Sequence, residues 1–284
     1  MISDAELILN GDGSVYHLNL LPEDLATTII FVGDPDRVPA ISKYFDNIEV
    51  KKGRREFVTH TGILRGKRVS VISTGIGTDN IDIVFNEIDA LVNIDFSTRM
   101  LKEDLTRLDI IRIGTSGSIQ GDIKIGTMLA SEYAVGFDAL MQFYVKDYNL
   151  KEKKIKRAVK RHFEGLTFAP YVGKASKNLL RQFAVDLPKG ITMTAPGFYG
   201  PQGRTLRSIN QYPELIAKAN SLKVGKRSIT NLEMETAGIY AMANMLGHRA
   251  ISINVILASR IHDTFCENPQ EVMDNAIRYV LNRI

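Results

Sequence analysis

Thr28-Ile29-Ile30-Phe31-Val32-Gly33-Asp34-Pro35-Asp36-Arg37 is an apolar run closed by a glycine turn and followed by residues that suit the start of a helix. The apolar part is short and rich in β-branched and aromatic side chains, the pattern of a buried strand. Comparable runs recur at Val69-Ser70-Val71-Ile72-Ser73, Ile110-Ile111-Arg112-Ile113-Gly114 and Ala250-Ile251-Ser252-Ile253-Asn254-Val255-Ile256, each leading into a polar or glycine-containing turn. With helical patterns between them, they predict an α/β fold around a central, largely buried sheet. Ligands in such folds collect where the strands end.

The helices are expected at Val38 to Tyr44, Ile81 to Val92, Phe137 to Tyr148, Ser176 to Ala184, Glu233 to Leu246 and Pro269 to Leu281. In the last, Val272, Ala276, Tyr279 and Val280 recur at helical spacing. Asn93 to Arg107 is charged and irregular, and reads as a helix end plus a surface connection. Lys151 to Arg161 is dense in lysine and arginine, but Ile155, Ala158, Val159 and Phe163 repeat at helical spacing. An amphipathic helix with a solvated basic face accounts for it, and no aromatic stacking platform argues for nucleic acid.

The chain has 284 residues, 44% of them hydrophobic, and no Gly/Pro/Ser-rich linker divides it. One domain, 1–284, is therefore expected. Cys266 is the single cysteine, which fits a reducing cytoplasm. Met1 to Asn10 mixes Asp4 and Glu6 with isolated apolar residues, so no signal peptide is expected, and no apolar stretch approaches membrane-spanning length. The net charge of +4 is mild. No dinucleotide fingerprint, Walker loop, HExxH or paired CxxC occurs, so nicotinamide, ATP and catalytic zinc are rejected and no metal is assigned.

The remaining polar residues fall into segments with chemistry of their own. Gly33 allows close backbone approach to an anion and Arg37 can hold two phosphate oxygens, although Gly-Asp-Pro-Asp is also a good turn without a ligand. Arg112 lies inside an apolar strand, where an unpaired guanidinium is costly, and Gly114-Thr115-Ser116-Gly117 follows as a donor-rich turn. The competing explanation for Arg112 is a buried structural ion pair. Arg55 follows Arg54 and precedes Glu56-Phe57; convergence of Arg37, Arg55 and Arg112 would make a site for a doubly charged anion. Ser73-Thr74-Gly75-Ile76-Gly77 ends a strand in a glycine-flanked turn. In Gln202-Gly203-Arg204, the glutamine amide can pair with the N3–H and O2 of a uracil edge and the arginine with O4. Glu233-Met234-Glu235 suits a sugar diol. His17, in isolation, reads as a packed histidine.

Taken in order, these segments resemble the uridine phosphorylases of the nucleoside phosphorylase-I family, with matches from about His17 to about Arg260. The resemblance implies a three-layer α/β/α domain with a central mixed, partly barrel-like sheet. It also implies reversible phosphorolysis of uridine to uracil and ribose 1-phosphate, in pyrimidine salvage. Gly33, Arg37, Arg112 and Thr115 would bind phosphate, with Arg55 reaching in from a neighbouring subunit. Met234 and Glu235 would hold ribose, the neighbour's His17 would meet the 5′-hydroxyl, and Phe198, Gln202 and Arg204 would form the base pocket. Catalysis would rest on Arg204, Gln202 and Arg112. The expected assembly is a homodimer or a hexamer made as a trimer of dimers; phosphate is a substrate and no cofactor is implied. Purine relatives carry an aspartate shortly after the last core strand, where this chain has Ile256-Leu257-Ala258-Ser259-Arg260. A purine phosphorylase or a nucleosidase on the same fold, or a non-catalytic nucleoside-binding protein, are the alternatives.

Overall fold

The computed structural model describes residues 1–284. Their contacts fall into two compact units, Met1–Ile111 with Leu246–Arg249, and Arg112–Met245 with Ala250–Ile284.

In the first unit the run at residue 28 becomes strand β1 (Thr28–Val32), followed by helix α1 (Arg37–Ser42), β2 (Asn47–Arg54), β3 (Phe57–Leu64), β4 (Lys67–Ser73) and helix α2 (Thr78–Asn93). The order across the sheet is β1-β4-β3-β2. β1 runs parallel to β4, from Thr28 opposite Val69 to Val32 opposite Ser73, while β3 is antiparallel to both β4 and β2. α2 buries Ile81, Val84, Phe85, Ile88 and Leu91 along one face, and Phe85 meets Phe31 edge-on at 5.7 Å. Each such fully buried side chain contributes about 1.5–3 kcal/mol of transfer free energy. The segment after α2 is more ordered than its charge suggests: β5 (Ile94–Asp95) and β6 (Met100–Leu101) form a small hairpin. Asp95 organises its turn by accepting from the backbone of Ser97 and Thr98.

Strand β7 (Asp109–Ser118) leads into the second unit, which adds β8 (Met128–Gly136), α3 (Leu150–His162), β9 (Tyr171–Lys174), α4 (Lys177–Phe183) and β10 (Lys189–Thr194). It continues with α5 (Leu215–Ser221), β11 (Lys223–Val224), β12 (Arg227–Glu233), α6 (Thr236–Met245), β13 (Arg249–Ser259), β14 (Thr264–Phe265) and α7 (Pro269–Leu281). Here the sheet is mixed and closes on itself. β12, β10, β8, β13 and β7 are successive neighbours, and β12 pairs again with β7 through Asn231–Ser118 and Leu232–Gly117. This ring is the barrel-like part of the sheet.

Buried polar side chains link the strands of the ring. Each of its strands supplies a buried side chain to one hydrogen-bonded web: Asn254 to Ser131 at 3.2 Å, Ser131 to Thr192 at 2.5 Å, Thr192 to Asn231 at 2.9 Å and Asn231 to Ser116 at 2.9 Å. Buried polar groups that satisfy one another in this way avoid the desolvation cost of an orphaned donor or acceptor.

Three sequence expectations are corrected. Phe137 to Tyr148 is not a helix beyond a single turn at Leu140–Gln142: Asp138 accepts from the Leu140 amide, and Phe143 and Val145 are exposed, so no apolar face forms. Residues Gly114 to Gly117 are not a turn, because β7 continues to Ser118. Glu233 ends β12, and the helix starts only at Thr236. The basic segment does form a helix, α3, capped by Asn149 and Glu152 in reciprocal hydrogen bonds. No helix is long and apolar enough to cross a membrane.

Candidate functional site

Arg112 projects from β7 with 5% of its surface exposed. Its Nη1 donates to Asn254 Oδ1 at 2.8 Å, and its Nη2 pairs with Glu235 and lies 3.2 Å from Glu233 Oε2. Burial alone would weaken the guanidinium's hold on its proton, but Glu233 and Glu235 outweigh it and the pKa is raised. The backbone makes room for this geometry. A Cβ on Gly114 would sit 1.7 Å from Arg112 Nη1, so only glycine lets the guanidinium fold back along its own strand. Thr115 follows Gly114 on the same strand, partly exposed.

The strand–helix junction of β12 and α6 fixes the acidic side of the cluster. Glu233 accepts from Thr194 Oγ1 at 2.6 Å and from the backbone amides of Glu235 and Thr236, which are donors at the open N-terminus of α6. Glu233 is thus committed to holding the junction. Glu235 faces Arg112, and Met234 between them is half-buried.

A second cluster follows β10. Gln202 is buried, with 3% of its surface exposed, and Arg204 Nη1 donates to Gln202 Oε1 at 2.7 Å and to Phe198 O at 2.6 Å. The Arg204 guanidinium lies 3.8 Å from the Phe198 ring centroid. Because Arg204 can only donate, it fixes the orientation of the Gln202 amide, leaving the NH2 and the remaining carbonyl lone pair able to hydrogen-bond further. Arg260 approaches from the end of β13, donating from Nη1 to Gln202 O at 2.7 Å and from its backbone to Ser118 O at 2.8 Å. Both arginines donate to neutral oxygens. Burial, then the repulsion of Arg260, holds the Arg204 pKa down to about 10; burial also lowers that of Arg260, partly offset by Asp263. Arg260 is the functional candidate that motif reading missed. Its only local signal is a cation closing a long apolar strand.

In the first unit the glycine turns crowd together. Thr74 N donates to Val32 O at 2.8 Å, and a Cβ on Gly33 would lie 3.5 Å from Gly75 O. Gly75, at φ 68°, has no room for a side chain against Asn80 Nδ2 and Glu56 Cγ. Arg37 opens α1, partly exposed. Arg55 stands exposed at the tip of the β2–β3 hairpin, in a left-handed conformation of φ 55°. His17 is held by Glu87, its Nδ1 2.6 Å from Oε1.

Within the units, then, Arg112 is brought together with Glu235, Phe198 with Gln202, Arg204 and Arg260, and Gly33 with the Gly75 turn. No group of three or more His, Cys, Asp or Glu side chains is arranged to hold a metal ion.

The family model of the phosphorylase superfamily matches residues 27–282. A uridine phosphorylase of Thermococcus kodakarensis is 30% identical over 256 residues, which cover 89% of this chain and 80% of the relative. A purine nucleoside phosphorylase of Vibrio cholerae is 27% identical over 84% of this chain and 83% of its own. Among solved structures, a Trypanosoma brucei nucleoside phosphorylase described as showing uridine phosphorylase activity superimposes with a TM-score of 0.90 at 30% identity, covering 98% of both chains.

Proposed function

The chain belongs to the phosphorylase superfamily, and on that premise we propose that it is a uridine phosphorylase, converting uridine and phosphate reversibly to uracil and ribose 1-phosphate. The observation that carries the pyrimidine reading is the Gln202–Arg204–Arg260 cluster, a buried amide flanked by two cations whose donors reach only neutral oxygens. As the bond between C1′ and the base lengthens, negative charge moves onto uracil O2 and O4 while the ribose becomes oxocarbenium-like. Preorganised donors and cations aimed at that charge stabilise the transition state more than the ground state. Where a purine-type site would need an acid to protonate the ring, this chain presents Ser259 and Arg260.

Following the family resemblance, we assign phosphate to Gly33, Arg37, Arg112 and Thr115, with Arg55 supplied by a neighbouring subunit; the exposure of Arg55 at a hairpin tip supports that sharing. The dianion attacks C1′ directly, so no side-chain nucleophile is required. Ribose is placed on Met234 and Glu235, with the neighbour's His17 at the 5′-hydroxyl.

The test is a nucleoside panel assayed with and without phosphate by release of free base. Uracil should appear from uridine only when phosphate is present, and adenosine and inosine should be poorer substrates by up to roughly 10⁴-fold, because either base leaves the pocket's polar groups unpaired. Equal turnover of inosine overturns the pyrimidine reading, phosphate-independent release makes the protein a nucleosidase, and binding without turnover makes it a sensor.

A further inference from the structure

His17 is held more tightly than contact with a substrate hydroxyl requires. The Glu87 carboxylate, projecting from α2, accepts from the backbone amide of His17 at 2.9 and 3.1 Å, from the amide of Leu18 at 2.7 Å and meets His17 Nδ1 at 2.6 Å. On the other side, Arg54 Nη1 donates to Tyr16 O at 2.8 Å and its guanidinium covers the Tyr16 ring. Phe57 and Tyr16 meet the imidazole edge-on. The ring is thereby fixed in position while 27% of the side chain stays open.

An ionised carboxylate has no hydrogen to give, so the nitrogen facing it must be the one that carries the proton. In the neutral ring this leaves Nε2 as an acceptor. We propose that Glu87 is a positioning residue that fixes His17 as its Nδ1–H tautomer, presenting a bare Nε2 to the nucleoside's 5′-hydroxyl and so selecting 5′-hydroxylated ribosides. The proposal rests on the reading of His17 as the 5′-end contact.

Glu87→Gln separates the structural part of this role from the chemical one. The Leu18 amide still needs an acceptor beside Oε2, so a glutamine places its carbonyl there and its NH2 beside His17 Nδ1. Nδ1 must then accept, the proton moves to Nε2, and the ring offers a donor where it had offered an acceptor. The Leu18 amide keeps its acceptor and the His17 amide keeps its 3.1 Å contact while losing the one at 2.9 Å, and the tautomer is reversed.

The experiment measures kcat/KM for uridine and for 5′-deoxyuridine in the wild type, His17→Ala, Glu87→Gln and the double variant. Their ratio isolates the 5′-hydroxyl contact, since a general structural loss lowers both values alike. The ratio should fall about 5-fold or more in His17→Ala, the scale of one hydrogen bond. Glu87→Gln should show a smaller fall, because the hydroxyl must turn from donor to acceptor to meet Nε2–H, and the double variant should match His17→Ala. A collapse in His17→Ala with a wild-type ratio and unchanged His17 ring nitrogen-15 shifts in Glu87→Gln overturns the role of Glu87 and leaves His17 in place. An unchanged ratio in His17→Ala removes His17 from the 5′ end and takes the proposal with it. Nitrogen-15 NMR of the wild-type His17 ring gives a readout independent of activity: a bare Nε2 is expected, and a protonated Nε2 overturns the proposal even if the variants fail to fold.

Discussion

Two arginine clusters in the second unit handle charge in opposite ways. Arg112 is buried against Glu233 and Glu235, so its cation is already matched by carboxylates. Arg204 and Arg260 donate only to carbonyl and amide oxygens, and both have depressed pKa values. The first arrangement holds the fold together; the second leaves its positive charge without a carboxylate hydrogen-bond partner, offset only in part by Asp263. Removing an arginine should therefore damage stability in one place and chemistry in the other.

Arg112→Ala should have the largest effect. It leaves two carboxylates in a buried, dry environment without their cation, a change that costs about 3–5 kcal/mol. Thermal or denaturant unfolding measures this directly, and activity should disappear with it. A variant that keeps wild-type stability and loses only phosphate use would show that the carboxylates find other partners, and the contrast between the clusters would break.

Arg204→Ala should lower kcat/KM for uridine by about 10²–10³-fold, the scale of removing one preorganised transition-state donor, while stability barely changes. Gln202→Leu should lower uridine turnover similarly with little change in the KM for phosphate, because the proposed function gives its amide to the base and assigns it no phosphate contact. If either variant loses stability on the scale of Arg112→Ala, the second cluster is structural after all.

Gly114→Ala sharpens the first half of the comparison. Its Cβ would overlap Arg112 Nη1, so the guanidinium must leave its place between Asn254 and the two glutamates. Overpacking of this kind costs about 1–3 kcal/mol. Unfolding measurements should show that loss, and uridine turnover should fall because Arg112 is displaced rather than absent.

These contrasts also explain what the sequence discloses and what it withholds. β1 at Thr28–Val32 and α7 at Pro269–Leu281 coincide with the expected segments, because each has an unbroken local pattern and a clear start. β8 and β10 escape such reading: Ser131 and Thr192 interrupt their apolar runs, and their burial depends on a ring closed by distant strands. Phe137 to Tyr148 misleads for the converse reason, since its apolar residues Phe143 and Val145 face solvent. Gln202 and Arg204 are two residues apart and can be recognised together, and the structure joins them by a hydrogen bond. The partners of Arg112 cannot be read locally, because Glu235 and Asn254 lie 123 and 142 residues further along. Asn254 and Ser252 are the polar residues inside an otherwise apolar run, and nothing next to Asn254 in sequence announces the guanidinium it receives.

The smallest effect is expected where an arginine has a carboxylate partner but little burial. Arg227 donates to both oxygens of Glu132, at 2.7 and 2.6 Å, and hydrogen bonding to Glu132 is the main cause of its raised pKa. Its geometry is as well formed as that of Arg112. The difference is solvent: the two side chains are 33% and 26% exposed, so water screens the attraction and rehydrates Glu132 when the cation is removed. Arg227→Met should cost no more than about 1 kcal/mol, should cost still less at high salt, and should leave uridine turnover unchanged. Unfolding at low and high ionic strength gives the measurement. A loss matching that of Arg112→Ala would mean that partner geometry alone, rather than burial of the partnered charge, separates the structural arginines from those that the proposed function gives to a ligand.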